Sequence, residues 1–151
     1  MRRGRRQSRR SGCPIGIALD MLGDPWTLLI VRDLMFKGGK TFNDFLSAGE
    51  GIATNILSDR LGRLEAQGIT ARVTDPADAR RFIYRLTEKG IGLAPVLVEI
   101  VLWAANYEET DAPPGVIAAM RSDRDAFLAR VRATWRSTQP GRATSGRRRG
   151  R

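Results

Sequence analysis

The apolar residues of this chain change their period once. From Pro14 to Gly68 they recur every three or four residues, from Ile69 to Leu86 they alternate, and from Thr87 the helical period returns. Few folds are open to a chain that is helical on both sides of one short alternating stretch. A two-stranded hairpin is marginal alone and has to lean on the helices around it. The fold class predicted is mainly α with a small β-hairpin.

Local signals set the boundaries. Ile15, Ala18, Leu19 and Leu22 follow i, i+3, i+4, i+7 and predict a helix over 14–22. Asp24 and Pro25 supply an N-cap carboxylate and a first-turn proline for a second helix, 25–36, burying Trp26, Leu29, Ile30 and Leu34. "KGGK" at 37–40 stops it, and Thr41 caps a short third helix with Phe42, Phe45 and Leu46 inward. "AGEG", 48–51, is a turn. "ATNILSDRLGRLEAQG", 53–68, is a fourth helix with Leu57, Leu61 and Leu64 on one side and Asn55, Ser58, Asp59 and Gly62 on the other. Ile69, Ala71 and Val73 then alternate with Thr70, Arg72 and Thr74, and Phe82, Tyr84 and Leu86 alternate with Ile83 and Arg85. "DPADARR", 75–81, reads as a long polar tip between the two strands.

A helix over about 87–107 is apolar nearly all round, with Pro95 either kinking it or marking its effective start. One small domain cannot easily cover such a helix, so a second copy of the chain is expected against it. The residues expected at that interface are Leu93, Val96, Leu97, Ile100, Val101, Trp103 and Ala104. After "DAPPG", one amphipathic helix over 116–136 offers Ile117, Met120, Phe127, Leu128, Val131 and Trp135.

Charge divides the chain further. The net charge is +10, but residues 1–12 hold six arginines and residues 139–151 five, with no acid in either. That leaves 15 basic residues against 16 acidic ones in 13–138, close to neutral. The two ends are read as disordered basic tails, 1–12 and 139–151, able to bind any polyanion in a salt-sensitive way. Between them lie a domain at 13–107 and a helical extension at 108–138.

Chemistry is limited by what is missing. With no histidine and one cysteine, neither a structural zinc site, nor a disulfide framework, nor histidine general-base catalysis is available. No apolar run approaches the roughly 20 residues of a membrane helix, and "IGIALDML" is too interrupted for a signal peptide. The expectation is a cytoplasmic protein with no cofactor and no metal, neither an enzyme nor a membrane protein.

The order helix, helix, helix, turn, helix, hairpin, long helix is that of a winged helix-turn-helix. In it the second helix of the pair enters the major groove of double-stranded DNA. Leu57, Leu61 and Leu64 hold that helix to the core, while Thr54, Asn55, Ser58 and Asp59 are placed to meet base edges. Asp59 either accepts from a cytosine amino group or fixes a neighbour such as Arg63. Lys37, Lys40, Arg60 and Arg63 are backbone-phosphate candidates, and the wing's Arg80 and Arg81 are suited to the minor groove or its phosphates.

The run "CPIGIALDMLGDPWTLLIVRDLMFKGGKTFNDFL…GIATNILSDRLGRLEAQGI…RRFIYRLTEKG" resembles the HxlR-type winged helix-turn-helix regulators of bacteria, distant relatives of the MarR group. The resemblance covers roughly 13–107. It implies a homodimer, built by the 89–107 helix with the first helix, that places two recognition helices on a pseudo-palindromic operator. Several members sense oxidants or electrophiles through a cysteine just before the first helix, which here is Cys13; Arg9 and Arg10 would favour its thiolate. A small buried hydrophobe is the other reading of Cys13. Two departures stand out. Ala53 occupies the N-cap where the family often has serine, at a cost of about 1 kcal/mol unless Thr54 takes over the capping. The 116–136 segment and the basic tail are additions. A small-molecule effector pocket between the DNA-binding domain and the dimer helices would have Trp26, Phe36 or Trp103 as walls; the other reading of these aromatics is core. The function expected is sequence-specific transcriptional regulation, more naturally repression; the alternative is a non-specific nucleic-acid-binding protein driven by its arginine-rich tails.

Overall fold

The computed structural model describes residues 10–140, so both proposed tails lie almost wholly outside the described residues. Helix α1 (Pro14–Leu22) meets α2 (Thr27–Lys37) at a bend of 81°. Helix α2 starts two residues later than its proline suggests. Asp24 takes the amides of both Trp26 and Thr27, at 2.9 and 3.1 Å, so a turn precedes the helix proper. Helix α3 (Phe42–Leu46) carries the predicted Thr41 cap as a full capping box: Thr41 Oγ1 accepts from the Asp44 amide and the Asp44 carboxylate from the Thr41 amide. Gly49 and Gly51, with φ of 85° and 73°, make the turn into α4 (Thr54–Ala66).

Strands β1 (Thr70–Asp75) and β2 (Asp78–Leu86) form an antiparallel pair. One correction applies here. The connection is only Pro76–Ala77, with Asp75 facing Asp78; a register break then leaves Ala79, Arg80 and Arg81 without partners before Thr74 meets Phe82. The polar stretch is thus a tight turn plus a bulge inside β2, held by Asp75 accepting from the Ala77 amide and Asp78 from the Arg80 amide. The register sets which residues face the core. Thr70 pairs with Leu86 and Arg72 with Tyr84, so these share one face, while Ala71 and Val73 lie on the other with Arg85 and Ile83. Thr70, Tyr84 and Leu86 are buried, whereas Val73 and Phe82 are exposed where the hairpin leaves the body. Lys40 adds a backbone bridge to the far edge of β2 through two hydrogen bonds with Tyr84, which the sequence reading missed.

The long apolar segment is two helices, α5 (Glu88–Ile91) and α6 (Ala94–Tyr107), and Pro95 sits in the first turn of α6. Over Glu88–Tyr107 the chain does reach the length and mean hydropathy (1.5) of a membrane-crossing helix, which corrects the reading that no stretch comes near it. Here the stretch is broken around Gly92, and Ala94, Leu97 and Val98 pack into the core of the fold. The single helix expected over 116–136 is also two: α7 (Pro114–Ser122) and α8 (Arg124–Ser137), separated by Asp123, whose carboxylate caps α8 through the Ala126 amide at 2.9 Å.

The core gathers Ile30, Val31, Leu34, Phe45, Leu57, Leu61, Leu64, Ile69, Leu86, Ile91 and Leu97, with Leu128, Val131 and Trp135 of α8 against its rim. Gly90 is needed where α5 crosses the start of β1: a Cβ there would lie 2.2 Å from the Ile69 carbonyl oxygen.

Candidate nucleic-acid interface

Helix α4 is divided cleanly. Leu57, Leu61 and Leu64 are buried, and Thr54, Asn55, Ser58 and Asp59 are all exposed, so the four expected base-contact residues form one accessible row. Ala53 is the N-cap with no side-chain hydrogen bond, and Thr54 is already the first helical residue and does not take over the capping. The first amides of α4 therefore lack a side-chain acceptor and carry the positive end of the helix dipole.

Arg60 is placed differently from its basic neighbours. Its Nε lies 2.9 Å from Asp24 and its guanidinium also pairs with Asp59, with only 21% of the side chain exposed. Asp59 thus fixes Arg60 rather than Arg63. The Asp24–Arg60 pair ties the entry of α2 to the middle of α4. Burial disfavours the Asp24 carboxylate, but hydrogen bonds from Thr27 Oγ1, the Trp26 amide, Arg60 and the Thr27 amide outweigh it and lower its pKa to about 2. Arg63 is exposed with no ion-pair partner among the described residues. Lys37 pairs with the buried Asp33 at 3.3 Å and stays half exposed.

At the wing, the Arg80 side chain is 91% exposed beside Asp78, and Arg81 bridges Asp75 at 3.0 Å. The bulge projects both arginines at the end of the hairpin. Arg72, which the sequence reading did not single out, stacks 4.3 Å over the Phe82 ring and pairs with Glu65 of α4 at 3.5 Å. It fixes the wing relative to the recognition helix. An exposed aromatic one strand across from an arginine is the signal that would have found it.

Elsewhere, Cys13 is exposed at the N-cap of α1. The backbone amides of Gly16 and then Ile15 hold its thiol below the ordinary value. Arg10 is not among the causes and pairs with Asp20 at 3.5 Å, and Arg9 lies outside the described residues. Of the expected interface residues, Leu97 is turned into the chain's own core and Leu93 packs against it. Val96, Ile100 and Trp103 are exposed, as are Ile15 and Leu19 of α1. Of the three candidate effector walls, Trp26 lines a small cavity. That cavity, between α2 and the α3–α4 turn, also meets Leu29, Phe45, Ile52 and Leu57 and has about 20 Å³ of space, room for about one water. Among the described residues no group of three or more His, Cys, Asp or Glu is placed to hold a metal.

Comparison with known proteins bears on this geometry. The HxlR-like helix-turn-helix family profile matches residues 21–112. YvaP of Bacillus subtilis, described as an uncharacterised HTH-type transcriptional regulator, is 38% identical over 90 residues, 60% of this chain and 82% of its own. The reduced form of the transcriptional regulator YodB of Bacillus subtilis superposes with a TM-score of 0.55 at 34% identity, covering 64% of this chain and 95% of that one. The redox regulator HypR in its oxidised form superposes with a TM-score of 0.57 at 29% identity, covering 65% and 100%.

Proposed function

The chain belongs to the HxlR-like helix-turn-helix family of transcriptional regulators, and from that premise we propose that it is a homodimeric repressor that reads a pseudo-palindromic operator in the cytoplasm. The observation that carries this reading is the exposed row Thr54, Asn55, Ser58 and Asp59 on a helix whose other face is buried. Asparagine pairs well with adenine, and serine or threonine with several bases. Arg63 and Lys37 hold phosphates on the flanks, and Arg80 and Arg81 bring the wing to the minor groove or its backbone. Arg60 and Asp59 serve first as the tie to Asp24. Lys40 holds the wing through its backbone and offers its ammonium to a phosphate.

Val96, Ile100 and Trp103 on α6, with Ile15 and Leu19 on α1, are the apolar surface a second copy would cover. The residues divide into an N-terminal regulator domain at 13–107 and the α7–α8 extension at 108–138. A dimer across a promoter blocks polymerase without further apparatus, which favours repression. Cys13 is the proposed sensor: it is exposed, its thiolate is favoured by the start of α1, and HypR and YodB are relatives solved in defined redox states. YodB has also been solved with a quinone bound, which favours an electrophile as the signal.

The test is a titration of the full chain against duplex DNA from upstream of its own gene and against scrambled DNA, at about 150 mM salt. A preference of about 10³ or more is expected. Equal affinity for both would favour the second reading, non-specific binding by the arginine-rich ends. Asn55→Ala should lose about 1–3 kcal/mol on the operator and little on scrambled DNA. Cys13→Ser should abolish release by diamide; an unchanged response in that variant ends the sensor reading.

A further inference from the structure

Long-range ties hold the DNA-facing elements to the body of the fold. Where β2 ends, at the wing root, Trp135 Nε1 donates to the Leu86 carbonyl at 3.0 Å. At α4 the tie is Arg60, and this one reaches the exposed row itself. Its footing is rigid. Asp24 Oδ1 accepts from the Trp26 and Thr27 amides at 2.9 and 3.1 Å, and Oδ2 accepts from the hydroxyl of the buried Thr27. Arg60 Nε lies 2.9 Å from the same Oδ1, and Nη1 donates to Asp59 Oδ2. A planar guanidinium fixed at one edge carries its other nitrogens in set directions. Asp59 is therefore held through one oxygen. An ionised carboxylate is an acceptor through both, so the second keeps its accepting capacity on an exposed side chain, one helical turn from Asn55 on the same face. In the major groove the donors are the cytosine N4 and adenine N6 amino groups; guanine O6 and thymine O4 are acceptors, which a carboxylate repels. Phosphates repel a bare carboxylate too, and the Arg60 charge beside Asp59 offsets that.

We propose that Arg60, seated on Asp24, is a positioning residue that holds Asp59 as the acceptor for one base amino group, so that each half-site is read at one position for cytosine or adenine against thymine or guanine. This rests on the reading of α4 as the recognition helix. The test uses the full chain and duplex from upstream of its own gene, with each base pair of the protected region changed in turn. At one position per half-site, cytosine to thymine or adenine to guanine on the contacted strand should weaken binding about 10-fold or more. Deleting the amino group alone, with 2-pyrimidinone for cytosine or purine for adenine, should do the same. Asp59→Ala should make binding indifferent to that deletion, and the cycle of the two removals separates the contact from any change in the duplex. Arg60→Gln should relax the same position and leave the preferences at the others. If that variant does not fold by circular dichroism, Asp24→Asn, which keeps a cap acceptor and removes the anchoring charge, takes its place. Full discrimination kept in the Asp59 variant or in the Arg60 variant overturns the proposal, as does a loss in the latter spread evenly over all positions. No protected region, or a parent chain indifferent to every base pair, would instead sink the sequence-specific reading, and the proposal with it.

Discussion

Two residues at helix entries show how single side chains set the interface. Ala53 has N-cap backbone geometry (φ −72°, ψ 146°) but no oxygen to offer the first turn of α4. Ala53→Ser should raise stability by about 1 kcal/mol, read by thermal melting. Asp24 does what Ala53 does not, and its carboxylate also holds Arg60. Because its pKa falls from 3.8 unfolded to about 2 folded, its contribution is complete above about pH 4 and is lost as pH falls toward 2. Asp24→Asn should flatten the stability profile across that window in urea titrations, with little effect on its shape near neutrality. The cap at Asp24 was legible because aspartate before proline is a local signal. The pairing with Arg60 was not: nothing in the sequence shows that residues 36 positions apart meet.

At the scale of elements, the helices were the readable part, since Leu57, Leu61 and Leu64 announce a buried stripe directly. The hairpin was readable as a hairpin and misread in detail. Ile69 is buried under the end of α4, its amide bonded to the Leu64 carbonyl, before β1 begins, so the alternation counted from Ile69 does not mark the buried face of β1. From Phe82 toward the turn the wing leaves the body, and there alternation no longer reports burial. The break between α7 and α8 had a signal: Asp123 is an N-cap residue in the middle of an apparently continuous amphipathic pattern. The crossing of α5 over β1 had none, because it depends on a distant carbonyl. Gly90→Ala should cost about 1–3 kcal/mol in a denaturant titration, since the added methyl meets backbone that cannot yield.

For the whole molecule, the excess of apolar surface on α6 was legible from composition alone, and the structure divides it: Ala94, Leu97 and Val98 are spent on the chain's own core, while Val96, Ile100 and Trp103 are left outside. Which residues fell on which side needed the packing of α2 and α8. Ile100→Asp should leave circular dichroism unchanged and turn the species seen by analytical ultracentrifugation into a monomer, with operator affinity lost alongside; a dimer persisting in that variant would move the interface elsewhere. The seating of Trp135 on the Leu86 carbonyl joins residues 49 positions apart. Synthesis at about 5–20 residues per second puts about 2–10 s between the two. For that interval α4 and the hairpin exist with an uncovered wing root, so the order of translation makes α8 a later step that covers it.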